Sequence, residues 1–325
     1  MKKRFLISGG CGFIGTSLIS KLLKSHTGAQ IRVLDNLSVG GKEDLAEACE
    51  FAKVPVDGIP AKEGVFLIQG DIRDIKTCKL VAENVDCIVH LAANTGVGPS
   101  VENPRIDMET NVGGTFNLLE SARMNGVPQF VFASSGAPAG VVDPPIHEEI
   151  APHPVSPYGS SKLAGEGYCS AYYHTYGINT VALRFGNVYG PGSKHKSSVV
   201  AKFIRQALND EVCEIYGDGT QTRDFIFIDD LIDAILRASE FEGGGETFQI
   251  ASSAELSLNE LIRELQIVFE RETGREMKVK YGDVRLGDVM RNYADTSKAK
   301  GVLGWQARTD LTDGLRRTVL NLMSQ

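Results

Sequence analysis

The sequence predicts an α/β fold, a doubly wound parallel sheet followed by a smaller, mainly helical C-terminal domain. Three observations predict it. Short aliphatic runs alternate with helical patterns through residues 5–184, a glycine-rich turn directly follows the first run, and helical periodicity takes over after residue 186. The expected strands are residues 5–8, 31–34, 65–69, 87–91, 130–133 and 180–184. They are apolar throughout rather than alternating, the pattern of strands covered by helices on both faces. Between them Ile14, Leu18 and Leu22 recur every four residues, and Met108, Val112, Phe116 and Leu119 mark a helix that stops at Gly126. Strict alternation of the two kinds of element is the signature of a doubly wound sheet. Residues 40–64, with two prolines and no periodicity, are expected to be a surface excursion. Further helices are expected over 199–208, 231–239, 258–269 and 311–322, the third opened by a capping box, Ser257 and Glu260. The division expected is 1–186 for a dinucleotide-binding domain and 187–325 for a substrate domain, with some later segments returning to the first.

Composition narrows the function. Hydrophobic residues make up 42% and charged residues 23%, within the range of soluble globular chains. Lys and Arg number 34 against 41 Asp and Glu, a formal charge of −7. That balance, with no basic stripe, argues against nucleic acid and anionic membrane as partners. No apolar run approaches the roughly 18 residues of a membrane span. The run after Lys2, Lys3 and Arg4 is too short for a secretory signal. The six cysteines show no CxxC spacing and no cluster with histidine, so neither a disulfide framework nor a metal site is expected. Reduced thiols fit a cytoplasmic protein.

The turn Gly9-Gly10-Cys11-Gly12-Phe13-Ile14-Gly15 satisfies GxGxxG through Gly10, Gly12 and Gly15, and GxxGxxG through Gly9, Gly12 and Gly15. In either form glycines allow a tight turn and a bare backbone against a pyrophosphate, and the helix N-terminus adds free N–H groups. Twenty residues beyond Gly15 stands Asp35, placed to accept the ribose hydroxyls of NAD and to repel the extra phosphate of NADP. This is a Rossmann-type site, and the cofactor expected is NAD. Asp71-Ile72 and Leu91-Ala92-Ala93 follow the third and fourth strands, at the strand ends where the ligand crevice opens. Asp71 suits either an adenine amino group or the N-cap of the next helix.

Tyr158 and Lys162 are four apart in a helical segment introduced by Pro157, so they share one helix face. A phenol has a pKa of about 10, too high for a base at neutral pH. A neighbouring ammonium and a nicotinamide cation favour the phenolate. Such a pair suits removal of a hydroxyl proton while hydride leaves the same carbon. Ser134 and Ser135 precede it at a strand end.

With these motifs in order, together with Asn111 and Gly113-Gly114-Thr115, the run from Leu183 to Pro191 and the run from Gly217 to Asp224, the chain resembles the extended short-chain dehydrogenases/reductases. Within them it is similar to the NAD-dependent sugar-nucleotide epimerases and dehydratases. The resemblance covers essentially the whole chain. It implies Tyr158 as base, Lys162 as its electrostatic partner and ribose ligand, and Ser135 as the hydroxyl that bonds the reacting oxygen. It implies cofactor contacts from Gly9, Gly12, Phe13, Ile14, Gly15, Asp35, Asn36, Ser38, Asp71, Ile72, Leu91, Ala92, Ala93 and Asn111, with Phe185 and Val188 flanking the nicotinamide. For the substrate it implies Gly136, Asn187, Val200, Arg223, Arg285 and Asp288, the arginines clamping a diphosphate.

The residues after Ser135 separate the reactions. Dehydratases of this kind carry an Asp-Glu pair there, and decarboxylating relatives a carboxylate at the second position; this chain has Gly136 and Ala137. With no second acid–base pair, the resemblance points to 4-epimerisation of a nucleotide sugar: a UDP-hexose, UDP-N-acetylhexosamine or UDP-hexuronate. The alternatives are a one-way nucleotide-sugar 4-ketoreductase and a non-enzymatic dinucleotide-sensing protein on the same fold. Pro138-Ala139, where the family reads Val-Tyr, implies a differently shaped wall near the sugar. Apolar and aromatic surface on 108–123 and 158–173, including Tyr168, Tyr172 and Tyr173, implies a homodimer.

Overall fold

The computed structural model describes residues 3–195, 198–284 and 289–324. The chain forms two compact units, each assembled from three stretches of sequence. The first comprises Met1–Val141, Glu148–Arg184 and Ala234–Phe248; the second comprises Val142–His147, Phe185–Asp233 and Gln249–Gln325. Ala234–Phe248 thus belongs with the first unit and Val142–His147 with the second.

The first unit is built on strands β1 (Arg4–Ser8), β2 (Gln30–Asp35), β3 (Ala52–Lys53), β4 (Gly64–Gln69), β5 (Cys87–His90), β6 (Gln129–Ser135) and β7 (Asn179–Phe185). Together with the late strand Glu246–Ile250 they make an eight-stranded sheet, ordered Glu246–Ile250, β7, β6, β5, β1, β2, β4, β3. Pairing is parallel from β3 through β6, with Phe5 opposite Ile31 on one side and Cys87 on the other. Strand order reverses at β1, so the carboxyl ends of β1 and β5 border the crevice where such sheets bind ligands. Around the sheet lie α1 (Phe13–Ser25), α2 (Lys42–Ala48), α3 (Ile75–Val81), α4 (Val97–Glu102), α5 (Pro104–Asp107), a π-turn (Met108–Gly113), α6 (Gly114–Asn125) and α7 (Pro157–Tyr176). Leu6, Leu34, Phe66, Ile88, Phe130 and Phe132 form one continuous core with Cys78, Leu118 and Leu119 from α3 and α6.

One expectation changes. Residues 40–64 are not a bare excursion. Asp44 accepts the Gly41 N–H at 2.7 Å to open α2, β3 pairs with β4, and Val54, Val56 and Ile59 pack on the core. Only Leu45 of α2 is buried, too little apolar surface to leave a period in the sequence. In the stretch 108–125, Met108 and Phe116 face outward, at 49% and 39% exposure, while Asn111, Thr115, Leu118 and Leu119 face inward. The π-turn holds an extra residue, which rotates everything after it by about 100° relative to an unbroken helix.

The second unit carries α8 (Val199–Leu208), α9 (Ile228–Ala238, reaching into the first unit's sequence), α10 (Leu258–Thr273), α11 (Ser297–Val302) and α12 (Leu311–Met323). Between them are three two-stranded ladders. Asn187–Tyr189 lies parallel to Phe225–Phe227, Cys213–Tyr216 parallel to Val279–Gly282, and Thr222–Arg223 antiparallel to Leu256–Ser257. The capping box forms: Ser257 Oγ accepts the Glu260 N–H, and the Glu260 carboxylate accepts the Ser257 N–H at 2.9 Å. Trp305 is buried and donates its indole N–H to the Asp230 carbonyl. Among the described residues no helix is long and apolar enough to cross a membrane, and no cluster of side chains suited to a metal ion occurs.

Candidate active site

The site in the first unit begins where β1 runs into the glycine turn. Gly9 has φ +72°, and a Cβ there would stand 2.7 Å from the Ala92 nitrogen. At Gly15 a Cβ would meet the Gly9 carbonyl oxygen at 2.5 Å. These two glycines are imposed by packing, because helix and turn touch through bare backbone. Gly12 is different: the nearest atom to its Cβ would be 3.4 Å away, and it caps α1 with no side-chain acceptor for the first-turn N–H groups. Those donors are the ones an anion can take.

Asp35 closes one side of the turn. Its carboxylate accepts the Cys11 N–H at 2.9 Å and the Leu37 N–H at 2.8 Å. Burial pushes its pKa up, and the two N–H bonds work against that. Asn36 links it to the next strand end by donating to Asp71 at 3.3 Å, and its own Oδ1 accepts the Ser38 N–H. Asp71 is held by Arg73 through two bonds of 3.0 and 2.8 Å, which hold its carboxyl below the usual range. The N-cap alternative for Asp71 fails: α3 is capped by Asp74, which accepts from the Lys76 N–H.

On the other side stand β6 and α7. Ser156 caps α7 by accepting the Gly159 N–H at 3.1 Å, with Pro157 at the first helical position. This fixes Tyr158 in the first turn. Lys162, only 4% exposed, donates to the Ala133 carbonyl at 2.7 Å, and its ammonium lies 5.9 Å from the Tyr158 ring centre. Burial pulls the Lys162 pKa down to about 8. Burial raises the Tyr158 phenol more than its bond with Ser135 lowers it. Ser135 at the end of β6 accepts the Ala137 N–H at 3.2 Å, and nothing lies within 4 Å of where a Cβ on Gly136 would stand. Pro138 and Ala139 are buried in a short 3-10 turn directly after Ser135 and Gly136.

Several expected residues present no side chain. Ile72 is buried, with its carbonyl taken by Asn117 and Cys78. Asn111 is buried and spends its amide on Asn94, Asp107 and Ser161. Val188 and Val200, in the second unit, are 5% and 1% exposed, so a ligand meets at most their backbone. Leu91, Ala92 and Ala93 follow β5, with the Leu91 N–H on the Ser8 carbonyl. In the second unit Asn187 donates to the Asp224 carbonyl at 3.2 Å, and Arg223 donates to the Thr222 and Val289 carbonyls. Beside Arg223 in sequence, an open cavity of about 710 Å³ is lined by Tyr216, Gln221, Tyr281, Val284 and Met290. Arg285 and Asp288 lie outside the described residues.

Sequence reasoning missed a buried polar layer behind Tyr158 and Lys162. Glu166, one turn beyond Lys162, receives Arg184 through two bonds of 2.8 Å and the Ser134 hydroxyl at 2.6 Å. His90 has Ser8 Oγ 2.7 Å from Nδ1 and Thr115 Oγ1 2.9 Å from Nε2. Asp107 is 1% exposed and accepts from Asn111 at 2.8 Å. The four-residue spacing of Lys162 and Glu166 was the available signal for the first; nothing local marks the other two.

Fold and site together define a short-chain dehydrogenase/reductase of the extended kind. The chain belongs to the NAD dependent epimerase/dehydratase family, whose model matches residues 5–251. It is 36% identical over 321 residues to a UDP-glucose 4-epimerase of Mycolicibacterium smegmatis, covering 97% of each chain. Among solved structures it is similar to the UDP-glucose 4-epimerase of Thermotoga maritima with UDP-glucose, with a TM-score of 0.87 and 33% identity over 99% of each chain. It is similar also to a UDP-N-acetylglucosamine 4-epimerase of Methanobrevibacter ruminantium in complex with UDP-N-acetylmuramic acid, with a TM-score of 0.89 and 30% identity over the whole of both. The cofactor of this family is NAD. The residues here fit it, because any side chain on Gly9 or Gly15 would fill the turn and the Asp35 carboxylate stands at the strand end beside it.

Proposed function

We propose that the protein is an NAD-dependent 4-epimerase of a nucleotide sugar, acting on a UDP-hexose, UDP-N-acetylhexosamine or UDP-hexuronate. The observation that carries this reading is a single acid–base group, Tyr158 with Ser135 and Lys162, followed by open space at Gly136 and by Ala137 where a second pair would stand. One such group can move one hydroxyl proton out and back. Elimination of water needs a further acid and base on the neighbouring carbons.

In this reading Ser135 holds the 4-hydroxyl by a hydrogen bond and Tyr158 removes its proton. The Lys162 ammonium, fixed by the Ala133 carbonyl, stabilises the phenolate. NAD, when bound, supplies the acceptor and later donor of hydride. Tyr158 then returns the same proton to the sugar oxygen, so no proton is exchanged with solvent over a cycle. Gly9, Gly12, Phe13, Ile14 and Gly15 offer backbone to the pyrophosphate, and Asp35, Asn36 and Ser38 the ribose contacts. Asp71, Ile72 and the 91–93 segment border the adenine end and crevice, and Phe185 and Val188 the nicotinamide. For the substrate, Asn187, the backbone at Val200, Arg223, Arg285 and Asp288 hold the nucleotide. The aromatic walls at Tyr216 and Tyr281 suit a base stacking on them.

The test uses the purified protein with UDP-glucose, UDP-N-acetylglucosamine or UDP-glucuronate, read by NMR for the 4-epimer. An epimer from one of them is expected, and Tyr158→Phe is expected to abolish it while NAD still binds. Turnover surviving in that variant would sink the mechanism.

A further inference from the structure

We propose that Asp107 is a positioning residue for the Tyr158–Lys162 pair, a buried carboxylate clamped by Asn111 and Ser161 that supplies the counter-charge to the Lys162 ammonium. The inference rests on the reading of Tyr158 and Lys162 given above. Asp107 closes α5, immediately before the π-turn, with 1% of its surface exposed. Its Oδ1 accepts the Asn111 amide at 2.8 Å, and the Ser161 hydroxyl bonds its carboxyl. Asn111 Nδ2 also lies 3.2 Å from Ser161 Oγ, and that hydroxyl lies 3.0 Å from the Tyr158 carbonyl. Asp107 is thereby tied to the first turn of α7 through hydroxyl and amide, with no cation in an ion pair with it among the described residues.

A buried ammonium needs a negative partner, because desolvation of an isolated charge is costly. The groups facing Lys162 come from several elements. Glu166 on α7 is one, but its two oxygens are taken by Arg184 of β7. Cys169 on α7 is a thiol whose pKa burial pushes far up, so it carries no charge at neutral pH. His90 on β5 is held neutral, its pKa driven down to about 3 by burial. Ser134 and Ser135 on β6 are hydroxyls. Asp107 and Glu166 are the carboxylates that act on Lys162, and Asp107, which has no arginine or lysine in an ion pair with it among the described residues, acts on Tyr158 as well. The π-turn has a role in this arrangement. It brings Asp107 and Asn111 onto the inward face that Thr115 continues.

A negative charge at this place favours the protonated form of both partners. Asp107→Asn removes the charge and keeps one accepting oxygen, turning the other into a donor. Its effect is read in two ways. In carbon-13 spectra of tyrosine-labelled protein, with Tyr158→Phe assigning the signal, the Tyr158 midpoint is expected to fall by about one pH unit. In turnover, both limbs of the kcat/KM profile are expected to move to lower pH by a similar amount, with Asp107→Glu restoring the wild-type position. Should the asparagine variant not fold, Asp107→Ser removes the same charge from a smaller side chain. An unchanged Tyr158 midpoint overturns the proposal, because a carboxylate that merely holds Asn111 and Ser161 in place would leave it alone. The titration needs no substrate, so absence of epimerisation in the wild type would count against the proposed function and not against Asp107.

Discussion

His90 is the side chain whose environment departs furthest from water. Both ring nitrogens are bonded to buried hydroxyls, and burial holds the ring neutral down to about pH 3. In the unfolded chain the same ring protonates near its ordinary value of about 6.5. The unfolded state therefore binds more protons between those limits. The stability that His90 contributes is complete above about pH 6.5 and is lost progressively as pH falls toward 3, on the order of 5 kcal/mol at most. Urea unfolding of the wild type at pH 7, 6 and 5 should show this decline, and His90→Gln should flatten it; parallel curves for the two would show that the slope comes from elsewhere. The other five histidines are half-buried or exposed, which is why the effect belongs to one residue. Nothing near His90 in sequence announces this. Its partners Ser8 and Thr115 stand on β1 and α6, so the residue-level chemistry becomes legible only once the sheet has brought them together. Tyr158 and Lys162 were legible because a helix makes four-residue neighbours adjacent without help from the rest of the fold.

Among elements, the glycine turn separates two requirements that its motif merges. Gly15 is needed for packing, since its Cβ would stand 2.5 Å from backbone on both Gly9 and Gly10, whereas Gly12 has room. Gly15→Ala is expected to lower both the Tm and NAD affinity. Gly12→Ala is expected to leave the Tm in place and to weaken NAD by tenfold or more, about 1.4 kcal/mol, in titration calorimetry. Full affinity in Gly12→Ala would remove the phosphate site from this turn. Strands and long helices were read closely from sequence because burial on both faces, or a wide apolar stripe as on α8, leaves a clear period. The elements within 40–64 left no such period, since Leu45 is the one buried residue of α2.

On the scale of the molecule, the apolar outer surface of α4 to α7 has a consequence for assembly. Val97 and Val101 on α4, Ile106 on α5, Met108 of the π-turn, Phe116 and Met124 on α6, and Tyr168 and Tyr176 on α7 are all large and exposed. Phe116 and Tyr168 meet edge-to-face at 5.6 Å. Exposed apolar surface on this scale suits a second copy of the chain. Sedimentation equilibrium should give twice the 35.2 kDa protomer mass for the wild type, and the single mass for a Phe116→Glu/Tyr168→Glu variant that retains its far-UV spectrum. A wild type at 35.2 kDa would leave this face without the partner argued for it. A late segment's place in the sheet is hard to read from sequence, because membership in a sheet is settled by pairing and not by position along the chain. That pairing also sets an order on biosynthesis. The strand beside β7 is Glu246–Ile250, so a chain leaving the ribosome carries β7 with one edge uncovered until most of the second unit's α8 and α9 has already emerged. The central sheet is begun by β1 and completed by Glu246–Ile250, and a nascent chain halted near residue 186 holds a sheet still lacking its last member.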